Sequence, residues 1–98
     1  MDYETTFKEV HEGHVLFEIE AKVSLVPDID DPVDWQIECI TVETFNPNTR
    51  AVDERTLPRT HWLYRAIAAQ VMGAERGSVD VRWAMHIAGS RARARMHA

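Results

Sequence analysis

Val15-Leu16-Phe17-Glu18-Ile19-Glu20-Ala21-Lys22-Val23-Ser24-Leu25-Val26 is the stretch on which the fold class turns. Val15, Phe17, Ile19, Ala21, Val23 and Leu25 alternate there with Glu18, Glu20, Lys22 and Ser24. Successive side chains of a strand point to opposite faces, so a period of two sends the apolar set to a core and the charged set to water. Upstream, Tyr3–Val10 reads as a first strand, and His11-Glu12-Gly13-His14 supplies a glycine-bearing turn that closes a hairpin. Downstream, Pro27-Asp28-Ile29-Asp30-Asp31-Pro32-Val33-Asp34 ends the long strand. Two prolines withhold backbone donors there, and four aspartates favour turns over ladders.

Trp35–Phe45 is the expected third strand, followed by a turn at Asn46-Pro47-Asn48-Thr49. Within this strand Ile37 and Cys39 face opposite to Ile40 and Val42 unless a bulge or a two-sided environment intervenes. A helix is expected to start near Thr56-Leu57-Pro58, with Thr56 as cap and proline tolerated in the first turn. Leu63, Ile67 and Val71 are spaced by four along it, beside Ala66, and Gly73 is the stop. Its other side carries Trp62, Tyr64, Ala68, Ala69 and Met72, with His61, Arg65 and Gln70 as the wetting groups. A helix apolar nearly all round needs cover on two sides. Val79, Val81, Trp83, Met85 and Ile87 alternate with Asp80, Arg82, Ala84, His86 and Ala88, which favours a strand. With Ser78 as N-cap the same residues form a helix with Val79, Trp83 and Ile87 on one face.

These elements make one α+β domain over residues 1–98, with 91–98 expected as a frayed basic tail. The expected architecture is an antiparallel sheet of three to four strands with one long helix packed on a face. Phe17, Ile19, Val23, Ile37, Leu63, Ile67 and Val71 are expected in its core. With 45% hydrophobic and 28% charged residues, the composition is that of a globular chain rather than a disordered one. The lone Cys39 forms no internal disulfide and suits a reducing compartment. The N-terminus lacks the pattern of a signal peptide and no run of 18 apolar residues occurs, so a cytoplasmic location is expected.

Charge divides unevenly along the chain. Residues 1–54 hold 14 Asp/Glu and 3 Lys/Arg, a balance of −11, whereas residues 55–98 hold 2 and 8, a balance of +6, giving the net −5. Such asymmetry points either to a face with a partner of opposite sign or to halves that neutralise each other in the fold or across a dimer.

Short motifs point away from catalysis. His11-Glu12-Gly13-His14 has two histidines three apart in a turn, whereas the zinc protease pattern needs them four apart on a helix. Cys39 lies mid-strand between Glu38 and Ile40, without the electropositive setting a nucleophilic cysteine needs, and reads as a small buried apolar residue. No glycine-rich phosphate loop or serine nucleophile turn is present. No catalytic, cofactor-binding or metal-ligating residue is therefore assigned, and no cofactor is expected. Arg91, Arg93 and Arg95, backed by Arg82 and His97, read as a solubilising tail, and direct nucleic-acid binding is not expected of an acidic chain.

The acidic residues are better organised. Glu18 and Glu20 project from one face of the second strand, about 6.5–7 Å apart. Asp28, Asp30, Asp31 and Asp34 crowd the loop that follows, and Glu38 and Glu43 lie on the next strand. That spacing approximates phosphates along one nucleic-acid strand. In layout the chain resembles short proteins of unknown function encoded by phages and prophages: a hairpin strand Val15–Val26, an acidic Pro/Asp loop, a strand Trp35–Phe45 and an Ala-rich helix Leu57–Met72. Some proteins of that kind inhibit CRISPR effector complexes by imitating nucleic acid. The resemblance implies a non-catalytic, phage-derived inhibitor of a host nucleic-acid-handling complex, contacting it through Glu18, Glu20, Asp28, Asp30, Asp31 and Asp34. The alternative is a self-associating protein that dimerises through the helix around Trp62, Tyr64 and Met72.

Overall fold

In the computed structural model, residues 1–97 are described, with side chains through Ser90, so the expected fraying of 91–98 falls outside the described side chains. Strands β1 (Asp2–His11), β2 (His14–Pro27), β3 (Trp35–Asn46) and β4 (Ala51–Thr56) form one antiparallel sheet in the order β1-β2-β3-β4. Helices α1 (Trp62–Met72) and α2 (Arg76–His97) follow. The fold is α+β, with two helices in place of the single long one expected.

Alternation builds the first three strands where the pattern placed them. Glu12 and Gly13 carry φ of 51° and 80° between the paired residues His11 and His14. Positive φ at both central residues is the signature of a two-residue hairpin turn whose twist matches its strands, and glycine takes it without strain. Two bulges then adjust the faces. At the first, Glu9 pairs with Phe17 and Val10 with Val15, which leaves Leu16 as the extra residue. Val15 therefore leaves the inward set and is exposed, contrary to the simple alternation. At the second, Ser24 pairs with Cys39 and Leu25 with Ile37, which leaves Glu38 over. This extra residue brings Ile37 and Trp35 to the face of Ile40 and Val42, while Cys39 stays on the other.

β4 arises where the approach to the helix was expected. All six of its residues are exposed, so no apolar pattern announces it. Its charged Asp53, Glu54 and Arg55 protect an edge strand against further pairing. The helix consequently starts later than Thr56. His61 has extended backbone, and its Nδ1 accepts from the Leu63 N–H at 3.1 Å to cap α1. Gly73 ends α1 as expected, its N–H donating to Ala69 O. A Cβ at Gly73 would stand 2.9 Å from that same oxygen, so the close approach excludes a side chain.

The alternation over residues 79–88 belongs to a helix and not to the strand it favoured. Val79 and Trp83 are buried and Ile87 half-buried, at intervals of four, while Val81 and Met85 are 61% and 69% exposed. Ala84, Met85 and Ala88 are strong helix formers. A helix also satisfies its backbone locally, whereas a fifth strand would need a free sheet edge.

The core lies between the sheet's inner face and the two helices. Val23, Leu25, Ile40, Val42, Ile67, Val71 and Val79 are its fully buried members. Of the expected core set, Val23, Leu63, Ile67 and Val71 are buried, and Phe17, Ile19 and Ile37 are partly buried against it. Tyr64, expected on the exposed side of α1, is buried instead. A polar clamp joins the α1–α2 connection to β1. The Glu75 carboxylate accepts from Tyr3 OH at 2.9 Å, Thr5 Oγ1 at 2.8 Å and Gln70 Nε2 at 2.6 Å. Gln70 also donates to Thr6 O, tying helix to strand backbone. Burial first, then the hydrogen bond to Glu75 and its charge, raise the Tyr3 phenol above 10.0, with the Arg82 guanidinium opposing.

Candidate binding face

The two central strands outrun both helices. At about 3.3 Å per residue the 14 residues of β2 reach about 46 Å, whereas the 11 residues of α1 and the 22 of α2 reach about 16 Å and about 33 Å at 1.5 Å each. The radius of gyration is 16.1 Å, against about 13 Å for a compact chain of this length. The β2–β3 ladder runs only from Ala21–Val42 to Pro27–Trp35. Beyond it, among the described residues, His14–Glu20 pair with β1 alone and Glu43–Asn46 with β4 alone. Two hairpin arms thus part at Ala21–Val42. One carries exposed Val10, Val15 and Leu16, and the other Phe45 paired with Val52, 64% and 60% exposed.

The sheet face turned away from the helices is covered by nothing among the described residues. Strand pairing and alternation place Asp2, Glu4, Glu18, Glu20, Glu43 and Glu54 on it, against Lys8 and Lys22. Where the arms part, Glu4, Glu20, Glu43 and Glu54 surround Lys22 and Thr41 in a shallow depression of about 120 Å³. Lys22 Nζ is 3.8 Å from Glu54 Oε1, and Glu20 accepts from Thr6 Oγ1 at 3.0 Å. One lysine among four carboxylates leaves the depression strongly negative.

Arginines occupy the opposite layer. Arg76 lies 5.9 Å from the Trp35 ring centroid and Arg82 5.6 Å from that of Tyr3, while Arg59 donates to Glu38 O. Among the described residues no ion pair joins these arginines to a sheet carboxylate. The sheet carboxylates are therefore not neutralised by these arginines, while the aspartates of the β2–β3 loop lie on the helix side with them.

The six residues singled out from the sequence do not form one patch. Glu18 and Glu20 stand on the uncovered face. Asp28, Asp30, Asp31 and Asp34 lie in the β2–β3 loop at the far end of β2. Three of those aspartates shape the loop itself: Asp28 Oδ1 accepts from Asp30 N, Asp31 Oδ1 from Val33 N and Asp34 Oδ1 from Trp35 N. The loop packs on α2, where Trp83 Nε1 donates to Val33 O at 2.9 Å and Trp35 Nε1 to Asp80 Oδ1 at 2.7 Å. Asp2, Glu4 and Glu54 were missed. Cross-strand pairing unites them with Glu18 and Glu20, and for Glu54 that required knowing that β4 exists.

His11 and His14 face each other at the tip of the first arm, and no group of three or more His, Cys, Asp or Glu able to hold a metal occurs among the described residues. Every buried side-chain polar atom of the described residues has a hydrogen-bond partner. Among the described residues no helix is long and apolar enough to cross a membrane. No family model matches the chain, and neither the curated proteins nor the solved structures contain a match to it.

Proposed function

We propose that this chain is a non-catalytic binding protein that occupies a cationic groove of a host nucleic-acid-handling complex through the uncovered face of its sheet. The observation that carries this reading is the charge of that face: six carboxylates against two lysines, with no ion pair to an arginine among the described residues. Carboxylates two residues apart on a strand stand about 6.5–7 Å apart, and neighbouring strands repeat them about 4.8 Å away. A groove built to hold phosphates meets such an array as a fixed polyanion, with association speeded by the field and weakened by salt. A phage origin and inhibition of a CRISPR effector complex fit this reading and the layout of the chain.

The test is capture from nuclease-treated bacterial lysate by the immobilised protein, followed by elution with excess single-stranded oligonucleotide. The reading expects a nucleic-acid-handling complex that oligonucleotide displaces and that a Glu18→Lys/Glu20→Lys/Glu43→Lys variant does not retain. Retention of the same complex by that variant refutes it. A second reading, self-association through α1, rests on Trp62 and Met72, 56% and 52% exposed on one helix. It expects a dimer in sedimentation that Trp62→Glu dissociates, and a monomer at high concentration removes it.

A further inference from the structure

β1 is an edge strand, and its pairing with β2 fixes which backbone groups line its free side. Met1 N donates to Leu25 O at 3.1 Å and Leu25 N to Met1 O at 2.7 Å, so this pair exchanges both bonds. In an antiparallel ladder such pairs alternate with pairs that exchange none. The register continues unbroken from Asp2–Ser24 to Glu9–Phe17. Tyr3, Thr5 and Phe7 therefore bond β2, while Asp2, Glu4, Thr6 and Lys8 turn their N–H and C=O groups to the free side. Gln70 bears this out, since its Nε2 donates to Thr6 O at 3.0 Å. No other bond to this outward row occurs among the described residues, and the Thr6 oxygen keeps a second lone pair. β1 contains no proline or glycine that would blunt such an edge. α2 runs toward the other end of the strand, where Ser90 shares a cavity wall with Met1 and Pro27.

We infer that β1 pairs antiparallel with β1 of a second copy of this chain, about a twofold axis at Thr6, to make one continuous sheet. Charge complementarity selects both the occupant and the register. An axis at Thr6 sets Thr6 opposite Thr6 and, twice over, Glu4 opposite Lys8 of the second copy. Within each chain Glu4 already stands opposite Lys22, and Lys8 opposite Glu18, on the same face. Across the interface these become a row Glu18–Lys8–Glu4–Lys22 that alternates in sign, and the twofold repeats it. Opposite charges directly across a ladder stabilise it, and like charges oppose it. Other registers do worse. An axis at Glu4 sets that carboxylate against itself. An axis at Thr5 pairs Lys8 with Asp2 but sets Glu4 against Thr6, whose hydroxyl already bonds Glu20. The other edge lacks this complementarity: Leu57 N donates to Ile40 O, so Val52, Glu54 and Thr56 form the outward row of β4, and its self-pairing there centres on Glu54 against Glu54. The inference depends neither on the sheet-face reading nor on association through α1.

The experiment combines sedimentation equilibrium with amide hydrogen exchange by NMR on the same samples, from dilute to millimolar protein. A dimer is expected, and exchange of the Glu4, Thr6 and Lys8 amides should slow in step with the dimer fraction. The amides of Tyr3, Thr5 and Phe7 are bonded to β2 at every concentration and serve as internal controls. Glu4→Lys and Lys8→Glu should each weaken dimerisation about tenfold or more, the worth of two cross-strand pairs turned from attraction to repulsion. Mixed in equal amounts, the two variants again set opposite charges against each other and should associate as a heterodimer. Slow exchange at Val23 and Ile40 confirms that each variant is folded. In a Cys39→Ser background, Thr6→Cys should oxidise to a covalent dimer, because residues opposite each other in a bonded pair lie about 5.5 Å apart at Cα, within disulfide reach. Thr56→Cys, on the other edge, should not. A monomer at millimolar concentration overturns the inference. So does a dimer whose Glu4, Thr6 and Lys8 amides exchange freely, or a mixture no more dimeric than its components.

Discussion

Val23 and Val15 belong to the same strand, yet Val23 has no exposed surface and Val15 is 56% exposed. Eight residues separate the half of the sheet that the helices cover from the arm that projects beyond them. In the covered half, alternating side chains meet α1 and α2, and burial there carries the stability. In the arms the same covalent pattern meets water, and hydrogen bonds to a neighbouring strand hold the chain straight. Position under a cover, more than residue type, decides what a valine contributes.

The comparison is broken most directly at Ile67, which is fully buried where α1 packs on the sheet. Ile67→Ala is expected to cost about 2–5 kcal/mol, through lost transfer energy and the cavity left behind. Urea denaturation measures this as a lower midpoint at nearly constant slope. An Ile67→Ala loss no larger than that of Val15→Ala would mean the helices are not the source of the sheet's stability.

Next in size is Glu75, which fastens the covered half to β1. Glu75→Ala leaves the buried Tyr3 hydroxyl and Thr5 hydroxyl without their carboxylate. A cost of about 1.5–3 kcal/mol is expected from hydrogen bonds to a charged group. Glu75→Gln, which keeps an acceptor of the same shape, should recover part of it. Equal losses for the two variants would show that the carboxylate's charge, and not an acceptor in its place, holds the connection.

A smaller, pH-dependent effect comes from Tyr3. Its phenol is raised above 10.0 in the folded chain, so the native state holds the proton more tightly than the unfolded one. The stabilisation is full below the unfolded value and is lost as pH rises from about 10 through the folded value. Denaturation midpoints at pH 8 and pH 11 should therefore differ less for Tyr3→Phe than for the native chain. An identical alkaline slope in both would place the titrating group elsewhere.

How much of this was readable beforehand follows from the same contrast. The boundaries of β1, β2 and β3 are close to those expected, because alternation is strong where a strand has a covered and an open face. Ile37 and Ile40 could be reconciled by a bulge or by a two-sided environment, and the extra residue Glu38 shows that it is the bulge. β4 left no trace, since Ala51–Thr56 buries nothing and pairing with β3 is a tertiary fact. Residues 79–88 misled because Val79, Val81, Trp83, Met85 and Ile87 satisfy a period of two and, for every second member, a period of four. Burial selects the latter. On the acidic face, Glu18 and Glu20 were legible from alternation, but the aspartates of the β2–β3 loop looked contiguous only along the chain.

The smallest expected effect tests the arms themselves. Leu16 is the extra residue of a bulge and is 63% exposed, with Val10 and Val15 exposed beside it. Leu16→Ser should change stability by no more than about 0.5 kcal/mol, as surface substitutions do when they break no cap, core contact or buried bond. Native-state hydrogen exchange extends the argument from side chain to backbone. Amides of Val23 and Ile40 should exchange near the free energy of global unfolding, and those of Val15 and Phe45 at much lower free energy. The sheet would then be one hydrogen-bonded object with two stabilities, its arms free to vary in sequence because the covered half does not depend on them. Equal protection along the whole length of β2 would make the arms part of the same cooperative unit, and Leu16→Ser would then be felt at Val23.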